Sequence, residues 1–374
     1  MKKIFLVVNE DRFFLSHRKD VAVAAKSKGY DVTVVAKDTG RVGEVRALGL
    51  KWIDLPINPT GMNLSDELNT LRFLYKLYRK ERPDLVHHIG LKLILWGGLA
   101  AKLAKVKGVV NAVSGLGVLF SGDKPSFMAR MVLQVIRFSS NRRNISLIFQ
   151  NHEDMGLFVD HHIIKPKYCD FIKGSGVDLS EYHYTSEPEE GPVKVIFTAR
   201  MVKEKGTFEL IDAAERLRSE FEEKVQFLLC GGLSNNPKGI KREELEALCD
   251  GKYIQWLGYR SDVKQILMNS HIMAFPSYYR EGVPRSLIEA TAIGRPIVTT
   301  HSYGCKDTVD DGVNGFLVPI QNSKQLAEKL RVLISDKALR ERMGKAGREK
   351  AEREFSVVGV VNKHMEIYQR LIGE

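Results

Sequence analysis

Twelve short apolar runs, none of them alternating polar with apolar residues, are spaced along this chain by segments with apolar residues at helical spacing. An uninterrupted apolar run marks a strand covered on both faces, the condition of strands in a parallel sheet. The runs at 3–8, 31–36, 50–55, 84–88, 108–113 and 146–149 enclose helical patterns at 15–28, 65–81 and 92–105. Strand, helix and parallel strand in succession require right-handed crossovers, and several in series make a doubly wound α/β sheet. A polar, acidic, proline-bearing stretch at 184–192 interrupts the series and reads as a linker. A second series follows, with strands at 193–198, 225–229, 254–257, 272–275, 296–300 and 316–318 and helices at 207–220, 242–248, 263–268, 286–293 and 323–334. Two helical patterns, 337–354 and 357–372, close the chain. Two Rossmann-like domains are therefore expected, 1–183 and 193–356, facing each other across a cleft, with the last helix packing back on the first. Ligands in such sheets sit at the carboxyl ends of the strands.

The formal charge of +11 is unevenly placed. Residues 1–150 hold 25 Lys and Arg against 12 Asp and Glu, a net +13, whereas the remainder holds 32 against 34. A basic domain beside a neutral one points to an anionic partner: a nucleic acid, an anionic membrane or a phosphorylated substrate. The apolar run after Met1 stops at Asn9, too short for a signal peptide, and no run of 18 apolar residues occurs. The four cysteines form no close pair and no metal-ligand spacing, which suits a reduced, cytoplasmic compartment.

Several phosphate signatures are absent. There is no Gly-x-x-x-x-Gly-Lys-Ser/Thr, and Gly115-Leu116-Gly117 has Phe120 where a dinucleotide fingerprint needs its third glycine. No Asp-x-Asp occurs to hold a divalent metal on a sugar nucleotide. The informative segment is 276–298: a strand end, a glycine-containing loop, a short helix ending at Gly294, and the next strand. A loop entering a helix there presents unpaired N–H groups to an anion. Glu281 and Glu289 flank that entry. Read alone, each is equally compatible with a structural role, Glu281 as a solvated loop carboxylate and Glu289 as the second half of a capping box with Ser286.

The pattern Glu281-Gly-Val-Pro, Glu289-Ala and Gly294-Arg-Pro-Ile-Val resembles the two-glutamate region of the family-4 retaining glycosyltransferases, which have the GT-B fold. Residues 198–206, 257–263 and 311–318 match the same family in position and order. The resemblance implies that Arg200 and Lys205 clamp the diphosphate of a nucleotide sugar in place of a metal, and that Glu289 takes the ribose hydroxyls. It places Glu281 at the donor sugar, with Gly282, Val283, Pro284, Ser286 and Leu287 shaping that pocket, and the base beside Gly258, Tyr259 and Arg260. Residues 10–18 lack the family's usual glycine pair, and 113–117 lack its usual histidine. Instead His17-Arg18 and Ser114-Gly115-Leu116-Gly117 are similar to the PglA-like subgroup that extends polyprenyl-diphosphate-linked sugars. On this resemblance, and from its place in a loop after the first strand, His17 joins Arg200, Lys205 and Glu281 as catalytic, and Arg18 and Ser114 to Gly117 lie on the acceptor side; of His87 and His88, which end a strand and point oppositely, His88 is assigned there by position.

Within 124–143, Phe127, Met131 and Val135 share one helical face and five basic residues fringe it. Such a helix can lie in an anionic membrane interface or serve as an ordinary core helix. The expected protein is a retaining, metal-independent, cofactor-free transferase of a hexose or N-acetylhexosamine from a UDP-sugar to a lipid-diphosphate-linked saccharide. It would be cytoplasmic and peripheral on the inner face of the plasma membrane. The rival readings are a sugar-nucleotide epimerase or hydrolase of the same fold, and a nucleic-acid-binding protein. The second lacks any basic, aromatic-interleaved strand.

Overall fold

Strand β1 (Lys3–Glu10) buries Ile4 to Val8 without a break, and its alternate residues serve two different cores. Phe5 and Val7 pack with Leu74, Tyr78 and Leu93, whereas Ile4, Leu6 and Val8 pack with Ala22, Val360 and Tyr368. The computed structural model describes residues 1–58, 63–116, 126–234 and 239–373. It divides into two units, 1–176 with 357–374, and 177–356. In the first, β1 is joined by β2 (Asp31–Lys37), β3 (Lys51–Asp54), β4 (Leu85–Ile89), β5 (Gly108–Val113), β6 (Ile145–Phe149) and β7 (Cys169–Phe171). The order is β3-β2-β1-β4-β5-β6-β7 and every pairing is parallel. Its helices are α1 (Asp11–His17), α2 (Lys19–Ser27), α3 (Val42–Ala47), α4 (Leu64–Glu81), α5 (Leu91–Leu103), α6 (Phe127–Ser140) and α7 (His152–Asp160).

Local differences from the sequence reading have simple causes. The single helix expected at 15–28 is two, because Arg18 (φ −136°) leaves the helical region between α1 and α2. Helix α3 and strand β7 are each about one turn or one pairing long, too short to show a period.

The second unit contains β8 (Val193–Thr198), β9 (Val225–Cys230), β10 (Ile254–Gly258), β11 (Ile272–Phe275), β12 (Ile297–Thr300) and β13 (Gly315–Val318). They form a parallel sheet in the order β10-β9-β8-β11-β12-β13. Around it lie α8 (Thr207–Phe221), α9 (Arg242–Leu248), α10 (Val263–Met268), α11 (Arg285–Ile293), α12 (Ser323–Ser335) and α13 (Lys337–Glu354). The stretch 184–192 is built into this unit rather than linking two. Arg295, buried, donates to the carbonyls of Thr185 (2.7 Å) and Ser186 (3.3 Å), and Arg340 pairs with Glu187 at 2.8 Å, both side chains 6% exposed. The chain changes unit at Gly176–Val177 and again at Ser356–Val357. Helix α14 (Val357–Ile372) then packs on the first sheet, where Tyr368 hydrogen-bonds His87 (2.7 Å) and Lys2 meets the Ile372 carbonyl (2.6 Å). No helix among the described residues is long and apolar enough to cross a membrane.

Candidate active site

The strand order of the second sheet reverses between β8 and β11, so the chain leaves these two neighbours in opposite directions and opens a crevice at their carboxyl ends. Arg200 follows β8 there, exposed and without an ion pair among the described residues. A 3-10 turn, Lys203–Lys205, comes next and ends at Gly206. Gly206 has φ +83°, and a Cβ on it would lie 2.2 Å from the Pro276 carbonyl oxygen, so only glycine lets the turn reach the loop after β11. The Glu204 carbonyl fastens that loop, accepting from the amides of Tyr278 (2.9 Å) and Tyr279 (3.0 Å).

This arrangement brings Lys205 onto Glu281. The two form an ion pair with side chains only 15% and 12% exposed, and the Ser277 hydroxyl donates to the same carboxylate oxygen at 3.3 Å. The ammonium also lies 5.4 Å from the Phe275 ring centre and 5.3 Å from that of Tyr279, within cation–π reach. Gly304, at φ +73°, presses the loop after β12 against Gly282, whose carbonyl oxygen a Cβ would approach to 1.5 Å.

Glu289 is not half of a capping box. Helix α11 begins at Arg285 with Pro284 as its cap and no side-chain cap bond, which puts Glu289 two residues beyond the third helical position that motif requires. Its carboxylate accepts instead from Arg285 Nε at 2.7 Å, with the pair 22% and 13% exposed. The Tyr182 hydroxyl feels the charges of both members. Burial and then the Glu289 charge raise the Tyr182 phenol above its ordinary range, so it stays protonated. Gly282, Val283, Pro284 and Leu287 are buried, the side chains of Val283 and Leu287 in the core, while Ser286 is half-buried in the first turn. At the end of β10, Gly258 (φ +66°) accepts from the Gly231 amide at 2.8 Å. Tyr259 is 73% exposed beside it, and Arg260 is turned onto Asp262 by two bonds of 2.8 and 2.6 Å. A cavity of about 560 Å³ lies here, lined by Gly232, Arg242, Trp256, Gly258 and Tyr259 among others.

The first-unit residues are less uniform. His17 is not in a loop: it occupies the last turn of α1, stacked on Phe13 at 4.3 Å and in contact with Ser16 through Nδ1. Arg18 is 2% exposed and its charge is felt by His87, His364 and Tyr368, which places it in the polar interior beneath α14 rather than on an acceptor surface. His88 is also interior, with Nδ1 on Asn111 (2.8 Å) and Nε2 on Tyr78 (3.0 Å), and burial lowers its pKa to about 4. Ser114 and Gly115 (φ +107°) are half-buried beyond β5, Leu116 is buried, and Gly117 lies outside the described residues.

Sequence reasoning missed Asp11, Tyr182 and Arg285. Asp11 follows β1 and ties it to the loop after β2, accepting from the amides of Thr39 (2.8 Å) and Arg41 (2.9 Å) and from the Thr39 hydroxyl. Burial opposes its ionisation, but these bonds outweigh it and hold the carboxyl below its usual range. An acid directly after the first strand was the available signal. Tyr182 and Arg285 offered none, because their partner is far away or unremarkable in sequence.

Two family models match: "Glycosyl transferase 4-like" over residues 3–151 and "Glycosyl transferases group 1" over 180–350. The N,N'-diacetylbacillosaminyl-diphospho-undecaprenol alpha-1,3-N-acetylgalactosaminyltransferase of Campylobacter jejuni is 28% identical, over 96% of this chain and 98% of that protein. The UDP-Gal:alpha-D-GlcNAc-diphosphoundecaprenol alpha-1,3-galactosyltransferase of Escherichia coli is 24% identical, over 91% of this chain and 89% of its own length. The solved structure of Anabaena HepE in complex with UDP-glucose superposes with a TM-score of 0.79 at 19% identity, covering 99% of this chain and 100% of that one, a likeness of fold.

Proposed function

Because the chain belongs to the group 1 glycosyltransferases and has their GT-B fold, we infer that it moves a sugar from a UDP-sugar to a polyprenyl-diphosphate-linked saccharide. The observation that carries this reading is the convergence of Arg200, Lys205, Glu281 and Glu289 at the switch point of the second sheet. Arg200 and Lys205 stabilise the diphosphate as the anomeric C–O bond breaks. Glu289, oriented by its pair with Arg285, accepts from the ribose hydroxyls, and Glu281 from a hydroxyl of the transferred sugar. The base lies beside Gly258 and Tyr259. Among the described residues no side chain of the crevice is assigned as a nucleophile, so transfer relies on leaving-group stabilisation and on holding the acceptor hydroxyl on the face the nucleotide leaves, which retains configuration. The two cations do the work of a metal, and none is required.

The acceptor class is supported by the relatives from C. jejuni and E. coli, both named for diphospho-undecaprenol substrates. It is also supported by charge, since the first unit carries 30 Lys and Arg against 18 Asp and Glu. Such an acceptor is anchored in a bilayer, and the protein attaches peripherally to the anionic cytoplasmic leaflet through α6. That helix buries Ala129, Leu133 and Ile136 and turns Phe127, Met128 and Met131 outward. The deciding experiment incubates the protein with a panel of UDP- and GDP-sugars and a polyprenyl-diphosphate-linked saccharide and reads the product mass. Addition of one sugar from a UDP donor is expected; sugar-nucleotide conversion without any acceptor would assign the crevice to an epimerase or hydrolase.

A further inference from the structure

The outward stripe of α6 continues through Phe138, 55% exposed, to a groove that the transfer reaction does not use. This groove, about 1110 Å³, runs between the last turns of α6, residues 141–143, and the chain from the end of α7 to Tyr168. Its walls are apolar, from Phe138, Ile164, Pro166 and Tyr168, and its rim is basic. Arg137, Arg143 and Lys165 line it, are exposed, and make no ion pair with any described residue. Asp160 is the one carboxylate among the lining residues. Arg142 lies deeper, with one terminal nitrogen on the Val106 and Lys107 carbonyls and its Nε buried without a hydrogen-bond partner. Burial pushes its guanidinium below the ordinary range.

The groove is also remote from the reacting edge of its sheet. Helix α6 leaves the carboxyl end of β5 and returns to the amino end of β6, and its 14 residues span about 21 Å. Arg142 and Arg143 precede β6, and Lys165 precedes β7, so the basic rim sits at the amino ends of the strands. An acceptor sugar waiting at the carboxyl edge would not fill it.

We propose that this groove binds the phosphate headgroup of an anionic phospholipid in the leaflet on which α6 lies. Arg137, Arg143 and Lys165 meet the phosphate, Arg142 supplies charge from behind it, and the first methylenes of the lipid lie against Phe138 and Tyr168. The occupant is set by complementarity: unpaired cations around an apolar floor, continuous with an exposed apolar helix face, match a phosphate joined to hydrocarbon. This inference rests on the membrane attachment proposed above and adds to it a discrete site, where diffuse attraction alone would need only net charge.

The test is sedimentation of the full-length protein with phosphatidylcholine vesicles, with and without phosphatidylglycerol. Three variants are compared: Arg143→Glu with Lys165→Glu in the groove, Phe127→Ser with Met131→Ser on the stripe, and Arg130→Glu, a basic residue on the same helix outside the groove. Each basic residue at an anionic surface is worth about fivefold in partitioning. Each reversal changes two such units, so the groove variant should lose more than the about 600-fold that diffuse attraction alone would cost, falling to background on anionic vesicles, while binding pure phosphatidylcholine as before. The Arg130→Glu loss should stay near about 25-fold. Soluble short-chain phosphatidylglycerol should protect the unmodified protein against thermal unfolding and inorganic phosphate should not, which separates a headgroup site from a free-phosphate site. Because the altered side chains make no ion pair, melting temperatures of the free variants should match the parent. If stripe changes abolish vesicle binding and groove changes do nothing, or if Arg130→Glu costs as much as the groove variant, the headgroup site is overturned while attachment through α6 stands. If the unmodified protein binds no vesicle at all, the membrane reading fails and takes the site with it.

Discussion

Glu281→Gln should separate nucleotide binding from turnover, and in opposite directions. The Glu281 carboxylate neutralises Lys205, the residue assigned to the diphosphate, and both side chains are nearly buried. A diphosphate entering beside Lys205 meets that carboxylate as a like charge. Two unit charges about 8 Å apart, at effective dielectric constants of about 20–40, interact by about 1–2 kcal/mol. Glutamine keeps the shape and removes the charge, and Lys205 keeps its place over the Phe275 and Tyr279 rings. UDP should therefore bind about 5- to 30-fold more tightly to Glu281→Gln than to the parent. Turnover should fall by about 100-fold or more, because the donor sugar loses a charged acceptor at the reacting end. Calorimetric titration with UDP gives the first quantity and product mass the second, with the melting temperature as a check on folding. Unchanged or weaker UDP binding in a well-folded Glu281→Gln would refute the reasoning, since Lys205 would then not be shared between carboxylate and diphosphate.

Arg200→Ala should lower turnover by about 30- to 1000-fold, the effect of about 2–4 kcal/mol at the leaving group. Its melting temperature should not move, because Arg200 is exposed and pairs with nothing described; near-parental rates would remove Arg200 from the clamp. Tyr182→Phe, which removes the hydroxyl beside the Arg285–Glu289 pair, should weaken UDP binding by up to about tenfold. That loss should vanish with 2′,3′-dideoxyuridine diphosphate, and an equal loss with both nucleotides would make Tyr182 merely structural. Activity should survive excess EDTA, and a complete loss restored by manganese or magnesium would show the leaving-group chemistry to be misassigned. Stability of the first unit should fall in acid, because burial lowers His88 to about 4 and His364 to about 3 while an unfolded histidine titrates near 6.5. The unfolded chain binds protons first, so the contribution is complete above about pH 6.5 and is lost on descent towards pH 4, by about 3 kcal/mol for His88 alone. A melting temperature flat over that interval would contradict it.

The fold was legible wherever burial was uniform. Strands covered on both faces carry apolar residues at successive rather than alternate positions, so β1 and β11 stand out as runs and their succession with the helical patterns dictates parallel crossovers. The stretch 184–192 misled for the opposite reason. Its composition is that of a linker, yet Glu187 is fixed by Arg340, 153 residues away, and the Thr185 carbonyl by Arg295, 110 residues away. A polar segment looks the same in sequence whether water or a distant arginine satisfies it. Arg18 and His88 misled likewise, because their surroundings include His364 and Tyr368 from α14 and Asn111 from the neighbouring strand.

Charge behaves the same way, and this bears on how much a sequence can say about partners. The excess of positive charge in the first part of the chain was countable, but not which cations are left over once the chain folds. In the second unit many cations are consumed internally: Arg218 reaches Glu215, Glu222 and Asp250, and Lys350 reaches Asp310 and Glu354. In the first, Arg18 is spent in the interior, and Lys92 lies on Glu67 at 2.6 Å. What distinguishes Arg137, Arg143 and Lys165 is neither type nor local sequence but the scarcity of carboxylates on the surface where α6 ends. A cation left in solvent costs nothing, so its exposure alone identifies no ligand. Three of them around an apolar floor, beside four outward-facing Phe and Met side chains, oppose the ordinary arrangement of a surface that meets only water. The membrane-facing role therefore attaches to that surface rather than to the net charge, and it predicts that neutralising basic residues elsewhere on the first unit leaves lipid selectivity in place.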